Sequence, residues 1–271
     1  MPAAGRGARL RSSVFLAVSA VVLACAAGGC AGGGRDEART DPPAPAPSAV
    51  DLSDAALWLS FEEEDLTFEG DTEYQDAAGG PFVGLVVTAN DGAVEVVEGV
   101  GGRGDALGFP EQCAATTGCP RAMLEVAPDP ALDPGTNDFE FGAAVWLNPD
   151  QTTKGSNIVQ RGRYGTEGGL WKLQVDSTEG EPSCVVRSGD DQLIVRSSVS
   201  VADSTWHRVA CRRDATGVEI DVDGVVDRVE GSTASVSNEW PVRIGSPGVS
   251  DQDDQFHGRV DDVYLTIGPP A

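Results

Sequence analysis

Residues 206–224 read Trp-His-Arg-Val-Ala-Cys-Arg-Arg-Asp-Ala-Thr-Gly-Val-Glu-Ile-Asp-Val-Asp-Gly. The stretch predicts two strands joined by a polar turn. The first strand ends near Arg213, and residues 214–217 form the turn. In the second, Val218, Ile220 and Val222 alternate with Glu219 and Asp221. That period of two puts the apolar side chains on one face of a sheet. Asp223-Gly224 closes the strand, because Asp-Gly accepts the positive φ that a tight hairpin needs.

The same grammar extends outward. Short alternating runs, separated by Gly, Pro, Asp and Asn, occur at 56–62, 83–88, 93–97, 105–109, 123–126, 139–147, 157–161 and 170–176. They continue at 184–188, 193–197, 207–213, 218–223, 225–229, 242–245 and 259–267. In 139–147, Phe139, Phe141, Val145 and Leu147 share one face. No stretch shows a sustained 3.6-residue period, and no 20–50-residue repeat is evident. This spacing predicts an all-β jelly-roll sandwich: two antiparallel sheets around one core about 10 Å thick.

Of 271 residues, 43 are acidic and 19 basic, a formal net charge of −24. The balance argues against nucleic acid and anionic lipid surfaces, which need Lys and Arg to neutralise phosphate. Lysine occurs only at Lys154 and Lys172.

The chain opens as a targeting segment. Arg6, Arg9 and Arg11 precede an apolar run, residues 14–23, that is short for a bilayer span. Small residues followed by Cys25 and Cys30 then resemble a bacterial lipobox, which implies lipid transfer to the thiol and cleavage before it. Cys25 closes the apolar run directly and is the preferred site, with Cys30 the alternative. The predicted organisation is a signal peptide over 1–24, a Gly- and Pro-rich tether over 25–50, and one domain over 51–271. Contact with a membrane is expected only through the lipid anchor, with the domain in the cell-wall space.

Four further cysteines, Cys113, Cys119, Cys184 and Cys211, imply disulfides in an exported domain, with three pairings possible. Cys113 and Cys119 bracket a short turn. Cys184 and Cys211 each lie in a strand-like run. The favoured pairs are therefore 113–119 and 184–211, stapling neighbouring strands in the second case. No CxxC spacing supports a zinc site.

Five segments, in order, resemble a laminin G-like domain of the concanavalin A-like lectin/glucanase superfamily, over roughly 55–267. They are Leu57-Trp58-Leu59-Ser60-Phe61-Glu62-Glu63; the run at 101–109, Gly-Gly-Arg-Gly-Asp-Ala-Leu-Gly-Phe; and Phe139-x-Phe141-x-x-x-Val145-Trp146-Leu147. The fourth is Trp206-His207-x-Val209 with Val222-Asp223-Gly224, and the fifth is Phe256-x-Gly258-x-Val260-Asp261-Asp262-Val263. The resemblance implies the jelly roll, and a calcium ion held by Glu62 and Asp261, with Asp76 as a further ligand. Residues 74–80 carry less Asn than the family's loop there, a departure that weakens the case for a metal at that loop.

The superfamily also includes glycoside hydrolases, which need one carboxyl as acid and another as nucleophile or base across the scissile bond. Glu219, Asp221 and Asp223 share a face, but Asp223 serves the turn and Val225 follows where an acid would be required. His207 reads as a packed structural side chain, and His257 as a residue of a loop face. There is no Gly-x-Ser-x-Gly elbow. The acidic run 251–254 reads as a solvated loop, and Arg103-Gly104-Asp105 as a turn. For sugar stacking the candidates are Tyr164, Trp171 and Trp240, beside loops, while Trp58, Trp146 and Trp206 are expected in the core. The sequence thus points to a non-catalytic binding module for a carbohydrate or an envelope protein. A glycan hydrolase and a calcium-binding structural protein are the alternatives.

Overall fold

The computed structural model describes residues 52–62, 66–68, 71–153 and 155–268. The signal segment, the tether, Cys25, Cys30 and Lys154 lie outside the described residues. Among the described residues no helix is long and apolar enough to cross a membrane.

Among the described residues seventeen strands follow one another: β1 (Leu57–Leu59), β2 (Leu66–Phe68), β3 (Asp71–Gln75), β4 (Val83–Ala89), β5 (Glu95–Glu98), β6 (Asp105–Gly108), β7 (Arg121–Val126), β8 (Phe139–Trp146) and β9 (Ser156–Arg161). Then come β10 (Leu170–Val175), β11 (Pro182–Ser188), β12 (Asp191–Arg196), β13 (Trp206–Arg213), β14 (Gly217–Val222), β15 (Val225–Glu230), β16 (Val242–Ile244) and β17 (Arg259–Ile267). The first sheet runs β15-β14-β13-β8-β17-β6-β5, with β1 also on β17; the second runs β12-β11-β10-β9-β16-β7-β4-β3-β2. All the strand pairs are antiparallel, as an all-β sandwich of hairpins requires.

The opening stretch folds as read. β13 pairs with β14, and Asp223 and Gly224 take φ of 51° and 88° between β14 and β15. Phe139, Phe141, Val145 and Leu147 are all buried on the inner face. Phe141 of the first sheet meets Trp171 of the second, ring centroids 4.6 Å apart, across the middle of the sandwich.

The structure pairs Cys113 with Cys119 and Cys184 with Cys211. The second bond differs from the expected staple between neighbours. Cys184 lies in β11 and Cys211 in β13, so it crosses the core from sheet to sheet. Closing a 27-residue separation contributes about 3 to 4 kcal/mol in the chain-entropy model.

Four of the five tryptophans are placed the opposite way from the expectation. Trp171 is 1% exposed, because it alternates with Leu173 on the inner face. Trp58, Trp146 and Trp206 are half-buried on the outer face of the first sheet, where Trp206 stands directly opposite Trp146. Each follows or precedes an inward residue, so the pleat turns it outward. The hairpin β2–β3 was not anticipated. Its acidic composition hides a strand that pairs with β4.

Candidate functional site

Arg161, Trp171 and Val242 are cross-strand partners, so the loop after β9 and the segment before β16 emerge at the same end of the second sheet. The two segments are laced together. Ser237 donates its N–H to Gly168 O at 2.8 Å, and Asn238 Nδ2 donates to Gly169 O at 3.0 Å. Gly168 is required there: its φ is +83°, and a Cβ would sit 1.7 Å from Ser237 O. Beneath them Arg161, 1% exposed, donates to the carbonyls of Trp240, Asn238 and Asp129 and pairs with Asp133 at 3.0 Å. Burial lowers the pKa of this guanidinium, and the charges of Asp133 and Asp129 oppose the shift.

Two of the three aromatic candidates stand on this rim. Tyr164 is 83% exposed, with the Arg187 guanidinium 4.2 Å from its ring centroid. Trp240 is half-buried between Arg163 at 5.7 Å and Arg243 at 5.5 Å. Trp171, buried in the core, is excluded from any surface role. The arginines were missed from the sequence, although their recurrence beside each loop aromatic was visible in it.

From the rim a polar row crosses the outer face of the second sheet: Val185, Lys172, Gln160, Arg243, Glu125 and Leu85 are successive partners. Burial holds Lys172 below its usual range, against the nearby charges of Asp254 and Asp176. Residues 246–253 fold back over β16, since Arg163 and Arg243 both donate to Pro247 O and Arg163 pairs with Asp253 at 3.0 Å. Within the acidic run expected to be solvated, Asp253 is tied into this wall over β16, while Gln252 and Asp254 are exposed. Burial alone would raise the Asp253 carboxyl, but hydrogen bonds from Ser250 and the Arg163 charge hold it low. Asp254 is raised, chiefly by desolvation.

The metal candidates differ in their surroundings. Asp261 is 3% exposed and accepts from Val100 N–H and Asp262 N–H; burial, with the Asp262 and Glu62 charges, pushes its carboxyl up to about 7. A Cβ on Gly99 would meet Arg103 O at 2.6 Å, Asp261 Oδ2 at 3.0 Å and Asp105 O at 3.3 Å, so three oxygens converge on one small space. The Glu62 carboxylate lies against Gly104 in the same turn. Phe61 and Asp262, one residue from each acid, have positive φ of 58° and 48°, strain of the kind that collects at functional sites. These donors suit calcium, which takes carboxylates and carbonyls together. Asp76 uses one oxygen, Oδ1, to accept from Trp58 N–H and Ala78 N–H, while Oδ2 is buried without a partner. No group of three His, Cys, Asp or Glu side chains among the described residues is placed to hold an ion. A calcium ion there would need backbone carbonyls to complete its ligands.

The carboxylates weighed for catalysis are engaged. Glu219 is held by Arg212 at 3.2 Å and Arg228 at 3.1 Å. Asp221 Oδ1 accepts from Gly224 N–H at 2.6 Å. Asp223 accepts from Arg208 N–H and stands 2.7 Å from His207 Nδ1, whose Nε2 faces Asp203 at 3.0 Å and Thr205 at 3.1 Å. His257 donates from Nδ1 to Pro110 O at 2.6 Å.

A family model described as the concanavalin A-like lectin/glucanases superfamily matches residues 125–266. A comparison with curated proteins found no match. Among solved structures, domain 4 of AbnA, a GH43 extracellular arabinanase from Geobacillus stearothermophilus in complex with arabinotriose, is similar. Its TM-score is 0.54 at 16% identity, covering 80% of this chain and 94% of that one. The binding domain of botulinum neurotoxin DC in complex with SialylT gives a TM-score of 0.52 at 10% identity, with 80% and 48% covered. A structure titled "Cell entry of botulinum neurotoxin type C is dependent upon interaction with two ganglioside molecules" gives 0.52 at 12%, with 79% and 48% covered. This chain spans about half the length of those toxin chains. At such identities the likeness is one of fold.

Proposed function

The chain belongs to the concanavalin A-like lectin/glucanases superfamily, and from that premise we propose that it is an exported, lipid-anchored binding module that recognises a carbohydrate of the bacterial envelope. The observation that carries the reading is the rim of Tyr164 and Trp240 on two interlocked loops. An aromatic face takes the apolar side of a sugar ring, while the neighbouring guanidiniums of Arg187, Arg163 and Arg243 offer donors to its hydroxyls. Structures similar in fold that are titled for arabinotriose and gangliosides support a glycan ligand, while another, titled for a complex with rat synaptotagmin II, keeps a protein ligand as the second reading. Two disulfides fit an oxidising compartment outside the cytoplasm. Cys25 or Cys30, followed by the tether, supplies the anchor. The ion pairs on Glu219 leave no free carboxyl pair on that strand, which supports a role without catalysis.

The test is binding of the purified chain to a panel of polysaccharides and cell-wall fractions. Tyr164→Ala and Trp240→Ala should each weaken saturable binding about tenfold, the scale of losing one aromatic contact. Undiminished binding by the double variant overturns the assignment. Release of product from any polysaccharide would return the weight to a hydrolase. A structural calcium ion, held by Glu62, Asp261 and the carbonyls of the 99–105 turn, belongs to the same proposal; it would join the first and last strands rather than touch the ligand.

A further inference from the structure

The two disulfides occupy opposite environments. Cys184 and Cys211 are 0% exposed in the core. Cys113 and Cys119 are half-exposed, and every residue from 114 to 118 between them is exposed. No residue of 111–119 belongs to the hydrophobic core. Its order rests on the covalent ring and on exposed hydrogen bonds, including Gln112 N–H to Gln151 Oε1 and Asn90 Nδ2 to Cys119 O.

The ring is wired to the wall over β16. Gly118, inside it, donates N–H to Asp251 Oδ1 at 2.9 Å. Arg121, two residues beyond Cys119, donates to Asp253 O at 2.8 Å and to Asp251 O at 3.2 Å. Just past these ties, Gln255 fills the place of β16 where that strand stops, bonding Ala122 N–H, Ala122 O and Gly245 O. The wall carries Asp253, which holds Arg163 beside Trp240, and Asp254, whose charge acts on Lys172.

We propose that the Cys113–Cys119 disulfide is a redox-sensitive brace: its reduction by a dithiol releases the 250–254 stretch, and its reoxidation re-sets it. The consequence for ligand binding rests on the carbohydrate-binding reading above; the brace itself does not. One thiolate of the dithiol attacks an exposed sulfur, breaking the S–S bond and forming a mixed disulfide. The second thiol displaces it, so two electrons and two protons pass to Cys113 and Cys119 and the dithiol leaves as a cyclic disulfide. The core disulfide is protected by lack of access. Oxidised glutathione reverses the step.

The experiment titrates the full chain with dithiothreitol. Thiol alkylation with mass spectrometry reads which cysteines open, and hydrogen exchange reads the segment. Cys113 and Cys119 should label first, with Cys184 and Cys211 still bridged and melting still cooperative. Amide exchange at Gly118 and across 250–254 should then rise about tenfold, the signature of a local opening. Oxidised glutathione should reverse this, and the C113S/C119S variant should reproduce it without reductant. Simultaneous labelling of all four cysteines, or unchanged exchange in 250–254, overturns the brace. Faster exchange with unaltered polysaccharide binding upholds the brace and counts only against the binding role of this wall.

Discussion

At the scale of single residues, phase decides role. Trp171 and Trp146 both lie in strands beside loops, yet one bridges the sheets and the other faces solvent. Composition and proximity to a loop could not separate them. Counting alternation from Phe141 and Leu173 would have. Trp171→Ala should therefore cost about 3 to 5 kcal/mol in urea unfolding, while Tyr164→Ala should change stability by less than about 0.5 kcal/mol. Equal effects would refute the placement. His257 gives a pH signature. Burial lowers its pKa from 6.5, with the Arg121 charge adding to the shift. Between that lowered value and 6.5 the unfolded chain binds a proton that the folded chain does not. The contribution of His257 therefore rises with pH across that window and is lost as pH falls through it, against the opposite slope of Asp261, whose carboxyl is pushed up to about 7. His257→Gln should remove this contribution and turn the pH dependence of melting temperature over about pH 5 to 7 toward the falling slope of Asp261, since an imidazole titrates in that range. A slope identical to wild type would remove His257 as a contributor.

Elements depend on what a turn permits. Gly224 and Gly168 both hold positive φ, +88° and +83°, but their surroundings differ. Nothing lies within 4 Å of a Cβ at Gly224, so Gly224→Ala should cost about 1 kcal/mol of backbone strain alone. Gly168→Ala adds a collision with Ser237 O and should cost more, while also loosening the loop that carries Tyr164. Urea titration ranks the two, and the reverse order would show that the interlock of 162–169 with 236–240 is not rigid. The strands were largely legible, because each buried run alternates cleanly and ends at Gly, Asp or Pro. The hairpin β2–β3 was not, since Glu and Asp interrupt its apolar residues and its support is tertiary: pairing with β4 and burial of Tyr74 against Phe61. The disulfide partners could be read from spacing and strand context. That one of them joins opposite sheets could not, because it depends on which strands share a sheet.

For the whole molecule the governing fact is its charge of −24. Such an excess repels itself in the compact state, and the buried Asp261 feels it from Asp262 and Glu62. A divalent cation seated there would offset repulsion between the first and last strands and complete the oxygens around Gly99. Calcium should therefore raise the melting temperature of the full chain by several degrees, a binding linkage of about 2 to 3 kcal/mol at hundredfold saturation, and a chelator should reverse it. Asp261→Asn separates this from general screening. Near pH 8 without calcium it removes a buried charge, so it should melt at or above wild type, yet it should lose the calcium response. Asp76→Asn tells whether the unpartnered Oδ2 of that carboxylate also serves the ion: a lost response makes Asp76 a ligand, and a kept response limits the site to Glu62, Asp261 and carbonyls. If Asp261→Asn still responds to calcium as wild type does, the ion acts on the diffuse acidic surface and the 99–105 turn is not its site.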